Sequence, residues 1–445
     1  MSLAVATVVL WQLRALRPIQ DDYDMALYAL EGPLGGTILR WSDWSGDLWI
    51  NFINVVLVGL PLVHLPLSGG SLVAFFVTGV TAVTPVLVVL AARQSRTTLA
   101  RYALLAPPLL VAFWGWWWIN ASADWHAYAE SDALTTTFWQ NVNATYIIAP
   151  LLLVAAWLFV NSRTADRARL LSFGLVGLAL GMTGPVFASS SILTLTIIFA
   201  AIWAQSPEYL QVRKVGWVVS AIATAFGLVM SLLAPGSQSR SKTFSVPEIT
   251  LETLQQQVWW TASTAESWLL GVASPGSLVV FTFILFSTAL CNISLSLTEI
   301  RFVSWVAASL LFLSFVVAVI NSLSEFVIYK GYWHLHSSRA VGWVAIALLA
   351  VALGSWVGRM WHSPGSKPLM FFGATVLLLV ISAANFSLVE TALLRLPKWN
   401  TGPAPIAAIN DIEDPFVRPL ARRFWLEIGG PERGLEERYP NEQGS

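Results

Sequence analysis

The feature that most constrains this chain is a series of apolar runs, each about as long as a bilayer is thick, separated by loops in which the few charges collect. Crossing a hydrocarbon core takes ~20 mainly apolar residues, and a backbone in lipid must satisfy its own hydrogen bonds, so these runs are expected as helices. Twelve candidates are present: a short first segment, Leu3 to Leu13, and runs at about 48–66, 71–92, 102–119, 142–160, 170–187, 188–204, 215–233, 267–291, 302–322, 339–357 and 369–388.

Composition agrees. With 56% hydrophobic and 11% charged residues, the chain falls far from a soluble domain, where about 25% of residues carry charge. The fold class expected is all-α, a polytopic transmembrane bundle of 11–12 helices in a domain over 1–388. Within it, 17–47 forms a first outer loop of short interfacial helices, and 389–445 forms a polar tail or small cap. The first segment has neither a basic leader nor a small-x-small cleavage site, so a cleaved signal peptide is not expected. Formal charge is zero, with 25 basic and 25 acidic residues, and gives no sign of a nucleic-acid partner. The lone cysteine, Cys291, excludes an internal disulfide framework.

Lys and Arg near membrane ends stay on the cytoplasmic side. Arg93, Arg96 and Arg101, then Arg163, Arg167 and Arg169, then Arg213 and Lys214, then Arg301, then Arg359 and Lys367 occupy alternate loops. The opposite face then carries the loops around 120–141, 234–266 and 323–338 and the tail. If 1–16, 48–66 and 71–92 all crossed from inside, Arg93 to Arg101 would fall on the wrong side. One stretch is therefore expected to be re-entrant, and 48–66 is the candidate, because Asn51, Asn54, Pro61 and His64 would be costly facing lipid.

Four clusters on that opposite face carry polar chemistry. The first is Asp21-Asp22-Tyr23-Asp24, followed by Glu31 and the aromatic run Arg40 to Asp47 with Trp41 and Trp44. Carboxylates beside Trp faces suit a carbohydrate acceptor, since a carboxylate can take a hydroxyl proton; an interfacial aromatic belt with solvated acids is the alternative. The second runs from Thr137 to Tyr146 and includes Trp139, Asn143 and Tyr146, whose amides can bond sugar hydroxyls or cap helix ends. The third, Leu233 to Lys242, ends a helix at Pro235-Gly236 and brings Arg240 and Lys242, which can hold a phosphate or snorkel to headgroups. The fourth, Tyr329 to Arg339, collects Lys330, His334, His336 and Arg339 where an anionic headgroup would sit. His-x-His alone makes no metal site, and Asp124, His126 and Glu130 have no metal-ligand spacing.

Taken together, the Asp-Asp-Tyr after the first segment, the Trp-Ser-Gly box at Trp44 to Gly46, the Phe-Trp-x-x-x-Asn-x-x-Tyr element at Phe138 to Tyr146 and the Ala-Pro-Gly-x-x-x-Arg element at Ala234 to Arg240 resemble the polytopic glycosyltransferases of the GT-C superfamily. The order and spacing are most similar to an uncharacterised bacterial branch linked with surface polysaccharides, over roughly residues 17 to 340. The resemblance implies transfer of a sugar from a polyprenyl-phosphate donor to a glycan or lipid acceptor, outside the cytoplasmic membrane. Asp21 and Asp22 take the acidic positions, one of them as general base. Arg240, Arg339, Lys242, His334 and His336 are the expected donor-phosphate contacts; Trp41, Trp44, Asp47, Trp139, Asn143 and Tyr146 are the expected sugar or acceptor contacts. No metal ligand set and no certain cofactor is expected, while acidic pairs leave a divalent cation open. Two departures stand out: Asp47 occupies the place of an Arg, and Gly181-Met182-Thr183-Gly184-Pro185 replaces a segment that carries Glu in relatives. The rival readings are a lipid-linked glycan ligase or polymerase, a flippase for a lipid-linked sugar, and a non-catalytic assembly protein.

Overall fold

The computed structural model describes residues 21–65, 67–91, 96–123, 143–162, 167–205, 211–241, 250–327, 334–361 and 365–395, with Asn410, Arg418, Arg422, Arg423 and Leu426. Among these residues the structure is all-helical and contains no strand. Among the described residues, six helices are long and apolar enough to cross a membrane: Leu72–Ala91, Ala144–Asn161, Val215–Leu233, Leu297–Leu323, His336–Met360 and Ser366–Ala383. These make the chain a multi-pass membrane protein. A bent pair, Leu251–Val272 and Pro275–Leu290, counts as a seventh span if taken as one.

Two short helices come first, α1 (Asp21–Leu30) and α2 (Gly32–Asp43). They are followed by α3 (Leu48–Asn54), a π-turn (Val55–Gly59) and α4 (Leu60–His64), which run on as one apolar helical segment. The long helices begin with α5 (Leu67–Ala91) and α6 (Arg96–Ala123). A second π-turn (Ala144–Ile148) leads into α7 (Ala149–Ser162), followed by α8 (Arg167–Gly181) and α9 (Pro185–Gln205). Next come α10 (Gln211–Leu233), short α11 (Pro235–Ser241), α12 (Leu251–Val272) and α13 (Pro275–Leu290). The last are α14 (Leu297–Val327), α15 (His334–Met360) and α16 (Ser366–Arg395).

Breaks fall where the chain has turn chemistry. The expected division of 170–187 from 188–204 lies instead at Met182 to Gly184, where Gly184 takes φ +93° and Pro185 opens the next helix. The run expected at 267–291 is broken at Ala273-Ser274: Ser274 Oγ accepts from Ser277 N at 3.0 Å and Pro275 begins α13.

The main core packs α5, α6, α13, α14 and α15 around Phe113, Trp116, Phe283 and Trp343, all fully buried. Their polar tips are satisfied within the bundle, as lipid cannot do it: Trp116 Nε1 donates to Ser277 Oγ at 3.0 Å and Trp343 Nε1 to Ala82 O at 3.2 Å. A smaller cluster joins Met25 and Ala26 of α1, Ile50, Ile53, Val58 and Leu62 of the α3–α4 segment, and Ala144, Ile148 and Ala149 at the start of α7. Helices α8 and α10 meet backbone to backbone at Gly177, Gly181 and Gly227, the close approach that small residues allow in membranes.

The α3–α4 segment is held at both ends by other parts of the chain. Asp47, just before it, binds Ser231 at the C-terminal end of α10, and Trp49 and Asn54 bind Ala149 and Thr145 at the N-terminal end of α7. Its far end, at Leu62 and Val63, accepts from Arg423 and lies next to the start of α5. Asn51 and Asn54, costly in lipid, are both fully buried in protein.

Candidate functional site

The first loop builds its own layer beneath α2. Residues Gly36, Thr37 and Arg40 are buried on one stripe of that helix, while Leu34 and Ile38 face outward. Gly36 is needed there because a Cβ would run into the Tyr28 carbonyl of α1. Arg40 lies under this roof with Nη1 on Met25 Sδ and its guanidinium 5.8 Å from the Tyr28 ring centroid. Asp22 is completely buried one helical turn before Met25, on the same side of α1. Asp24 is exposed. Burial pushes the Tyr28 phenol above its ordinary value, the Arg40 cation pulls it back, and the Asp43 and Asp24 carboxylates add to the rise.

The end of α2 is locked to the α10–α11 corner. Gly46 N donates to Ser237 Oγ at 2.9 Å, and Ser231 Oγ donates to Asp47 Oδ1 at 2.8 Å. Both glycines of the corner are dictated by contact: a Cβ on Gly236 would stand 2.8 Å from Trp41 O, Trp44 N and Ser45 N, and one on Gly46 would meet Ser237 Oγ at 2.6 Å. The Trp-Ser-Gly box and the Pro-Gly-x-x-x-Arg element, almost 200 residues apart, are therefore one structural unit. Trp44 is half exposed and Trp41 partly buried. The Asp47 carboxylate also faces the turn before α9, with both oxygens 3.6 Å from where a Gly184 side chain would begin. The two departures from the glycosyltransferase pattern thus lie against each other, with a carboxylate beside a helix N-terminus, the favourable end of its dipole.

The Asn143–Tyr146 element adjoins the α3–α4 segment, where Asn54 Nδ2 donates to Thr145 Oγ1 at 2.8 Å. Asn143 is buried and Tyr146 partly buried. Tyr146 O accepts from Ser337 Oγ at 2.7 Å, which joins this element to the first turn of α15. In that turn His336 is buried with its ring tilted against Trp117 at 5.4 Å between centroids, and Arg339 is partly buried. Trp139 and Lys242 lie outside the described residues, as do the side chains of Asp21, Arg240 and His334. The structure therefore joins the first loop to the α10–α11 corner, and the α7 start to both the α3–α4 segment and the α15 start.

Sequence reasoning assigned no site role to Arg40, Asn54, Ser231 or Ser337, although Arg40 heads the aromatic run and Asn54 stands out as costly in lipid. Arg40 had a signal: with Gly36 and Thr37 it falls on one helical stripe facing inward. The other three are ordinary polar residues in apolar helices, and only their partners mark them. Among the described residues, no group of three or more His, Cys, Asp or Glu side chains comes together as a metal would require. No family model matches the chain, and neither does any curated protein or solved structure.

Proposed function

We propose that this chain is a membrane glycosyltransferase that transfers a sugar from a polyprenyl-phosphate donor to a cell-envelope glycan or lipid acceptor, with its site on the face of a bacterial cytoplasmic membrane opposite the basic loops. The observation that supports this reading is the gathering of four dispersed sequence elements at one end of the bundle, through Gly46 with Ser237, Asp47 with Ser231, Trp49 with Ala149 and Ser337 with Tyr146.

In the chemistry proposed, Asp22 takes the proton of the acceptor hydroxyl as that oxygen forms its bond to the anomeric carbon. The bond from the anomeric carbon to the phosphate oxygen breaks, and its electron pair leaves with the lipid phosphate. Arg240 and Arg339, aided by Lys242, His334 and His336, would stabilise that charge. Trp41, Trp44, Trp139, Asn143 and Tyr146 would face sugar or acceptor. A base and a phosphate clamp do separate jobs, which fits their supply from separate helices.

A deletion strain complemented with Asp22→Asn tests the proposal. The expected result is loss of one surface sugar and accumulation of its polyprenyl-phosphate donor, as in the deletion itself. Normal glycan with Asp22→Asn at normal expression sinks it, and retention there combined with loss in Arg339→Ala indicates a ligase or polymerase.

A further inference from the structure

Helix α12 is inverted relative to a helix that packs by hydrophobic burial. Among its described side chains only Gln257 and Thr264 are buried, and both are polar, while Leu254, Val258, Trp259 and Leu269 are exposed. Lipid tails suit that apolar face and give it no drive to leave them, so such a helix is held to its neighbour by packing and hydrogen bonds. Those bonds run to α14. Gln257 Nε2 donates to Ser322 O at 2.9 Å and to Thr261 Oγ1 at 3.0 Å, and Ser322 Oγ donates to Thr261 Oγ1 at 3.1 Å. One acceptor in this group is unmet: the buried Gln257 Oε1 has no hydrogen-bond partner among the described residues. The other end of α12 is anchored. Trp268 Nε1 donates to Ser314 Oγ at 2.8 Å, Ser314 is tied on to Ser338 of α15, and the Gly271 carbonyl accepts from Ser277 Oγ at 2.8 Å. Beyond the break at Ala273-Ser274, α13 buries Val280, Phe283 and Ile284 in the main core.

We propose that α12 is a lateral gate: its first half swings away from α14, with the end near the Ala273-Ser274 break as the pivot, and admits the hydrogen-bonding head of a membrane lipid between the two helices. Hydrocarbon alone holds the seam shut, because parting the helices would leave the Gln257 amide and the Thr261 and Ser322 hydroxyls facing tails that offer no hydrogen bonds. A sugar-phosphate head replaces those bonds, since its hydroxyls donate and accept and its phosphate oxygens accept. In that exchange Gln257 Oε1 gains the donor that the closed seam lacks. The gate therefore selects a lipid by its head, while the chain stays in the bilayer against the exposed apolar face. Identifying that lipid as the polyprenyl-phosphate sugar rests on the glycosyltransferase reading; the gate itself rests on α12 and α14. The competing reading is a permanently docked helix, in which the same bonds serve only as glue.

The test pairs Thr261→Cys with Ser322→Cys in the full chain, with Cys291→Ser to remove the native thiol. Hydroxyls 3.1 Å apart bring the two side chains close enough for a disulfide. Oxidised with diamide in nanodiscs, the pair should cross-link, and polyprenyl-phosphate glucose should slow the cross-link about tenfold while polyprenol of the same length leaves it unchanged. In the complemented deletion strain, oxidation of the pair should abolish transfer and reduction restore it, an effect absent from the Cys291→Ser parent. A second measurement serves if the pair does not fold. Ser322→Cys alone should react with N-ethylmaleimide about tenfold faster than Thr288→Cys, equally buried in α13, and faster still with Gln257→Leu added. Equal slowing by polyprenol, no slowing by the sugar lipid, or equal reactivity of the two single cysteines overturns the gate. Head-dependent slowing without transfer by any form would refute the enzymatic reading and leave the gate standing; undiminished transfer by the cross-linked pair would do the reverse.

Discussion

Gly46→Ala is the substitution whose effect is most directly fixed by the geometry. A Cβ at position 46 would fall inside the contact distance of the Ser231 carbonyl, 2.6 Å from Ser237 Oγ and 2.7 Å from Ala234 Cβ. Two of these three contacts are to the main chain or its first side-chain carbon, so no rotamer change relieves them. The corner must open, and with it go the Gly46–Ser237 and Ser231–Asp47 hydrogen bonds at 2.9 and 2.8 Å. Each such bond contributes about 1 kcal/mol, and forced overpacking costs roughly 1–3 kcal/mol, so the first loop should lose about 3–5 kcal/mol of local stability. Hydrogen exchange reads this directly, because Trp44 N and Ser45 N are bonded to Arg40 O at the adjoining helix end. Their exchange should speed up by about 100-fold or more, at ~1.4 kcal/mol per factor of ten, while α5 and α7 stay protected. Gly35→Ala is the matched control: its Cβ would meet only Glu31 Cβ at 3.3 Å on an exposed helix face, and alanine should stabilise that helix by about 0.5–1 kcal/mol. If both substitutions shift exchange in the same direction, the lock between the first loop and the α10–α11 corner is refuted.

Gly181→Leu should separate α8 from α10, because even a Cβ there would lie 2.7 Å from Gly227 Cα and Leu228 N; the variant is expected to lose most of its folded yield in detergent by size-exclusion chromatography, and a normal profile refutes the contact. Arg423→Ala should cost about 2–4 kcal/mol, since its guanidinium bonds to the Leu62 and Val63 carbonyls are charge-assisted and cap the end of α4. In thermal unfolding, Arg418→Ala, which loses one bond to Asn410 O, should fall by less, and equal losses would refute the capping role. In a Cys291→Ser background, an impermeant maleimide should label exposed Glu31→Cys from one side of the membrane and Trp361→Cys from the other. Labelling of both from the same side overturns the placement of the first loop opposite the basic loops.

Apolar length and scarcity of charge determined by themselves that this chain is an all-helical, multi-pass membrane protein, because lipid leaves the backbone no other way to satisfy its polar groups. The alternation of basic loops likewise pointed to the 48–66 run as the candidate for a segment that does not cross, with Asn51 and Asn54 as the physical reason. The sequence also marked Pro235-Gly236 as a helix end, though not the break at Met182 to Gly184, where a positive φ rather than a loss of hydropathy ends the helix.

What only the tertiary structure decided is which corners meet. Asp47 reads in the sequence as one more carboxylate in an aromatic run, yet its neighbours, Ser231 and Gly184, lie far along the chain. Arg40 reads as a surface charge before a tryptophan, yet packing α2 over α1 buries it against Met25 and Tyr28. Asn54 reads as an expensive polar residue and becomes half satisfied only when Thr145 arrives. Hydropathy is summed along a segment and survives without knowledge of neighbours, whereas a hydrogen bond or close glycine contact exists only once two distant segments hold a common position.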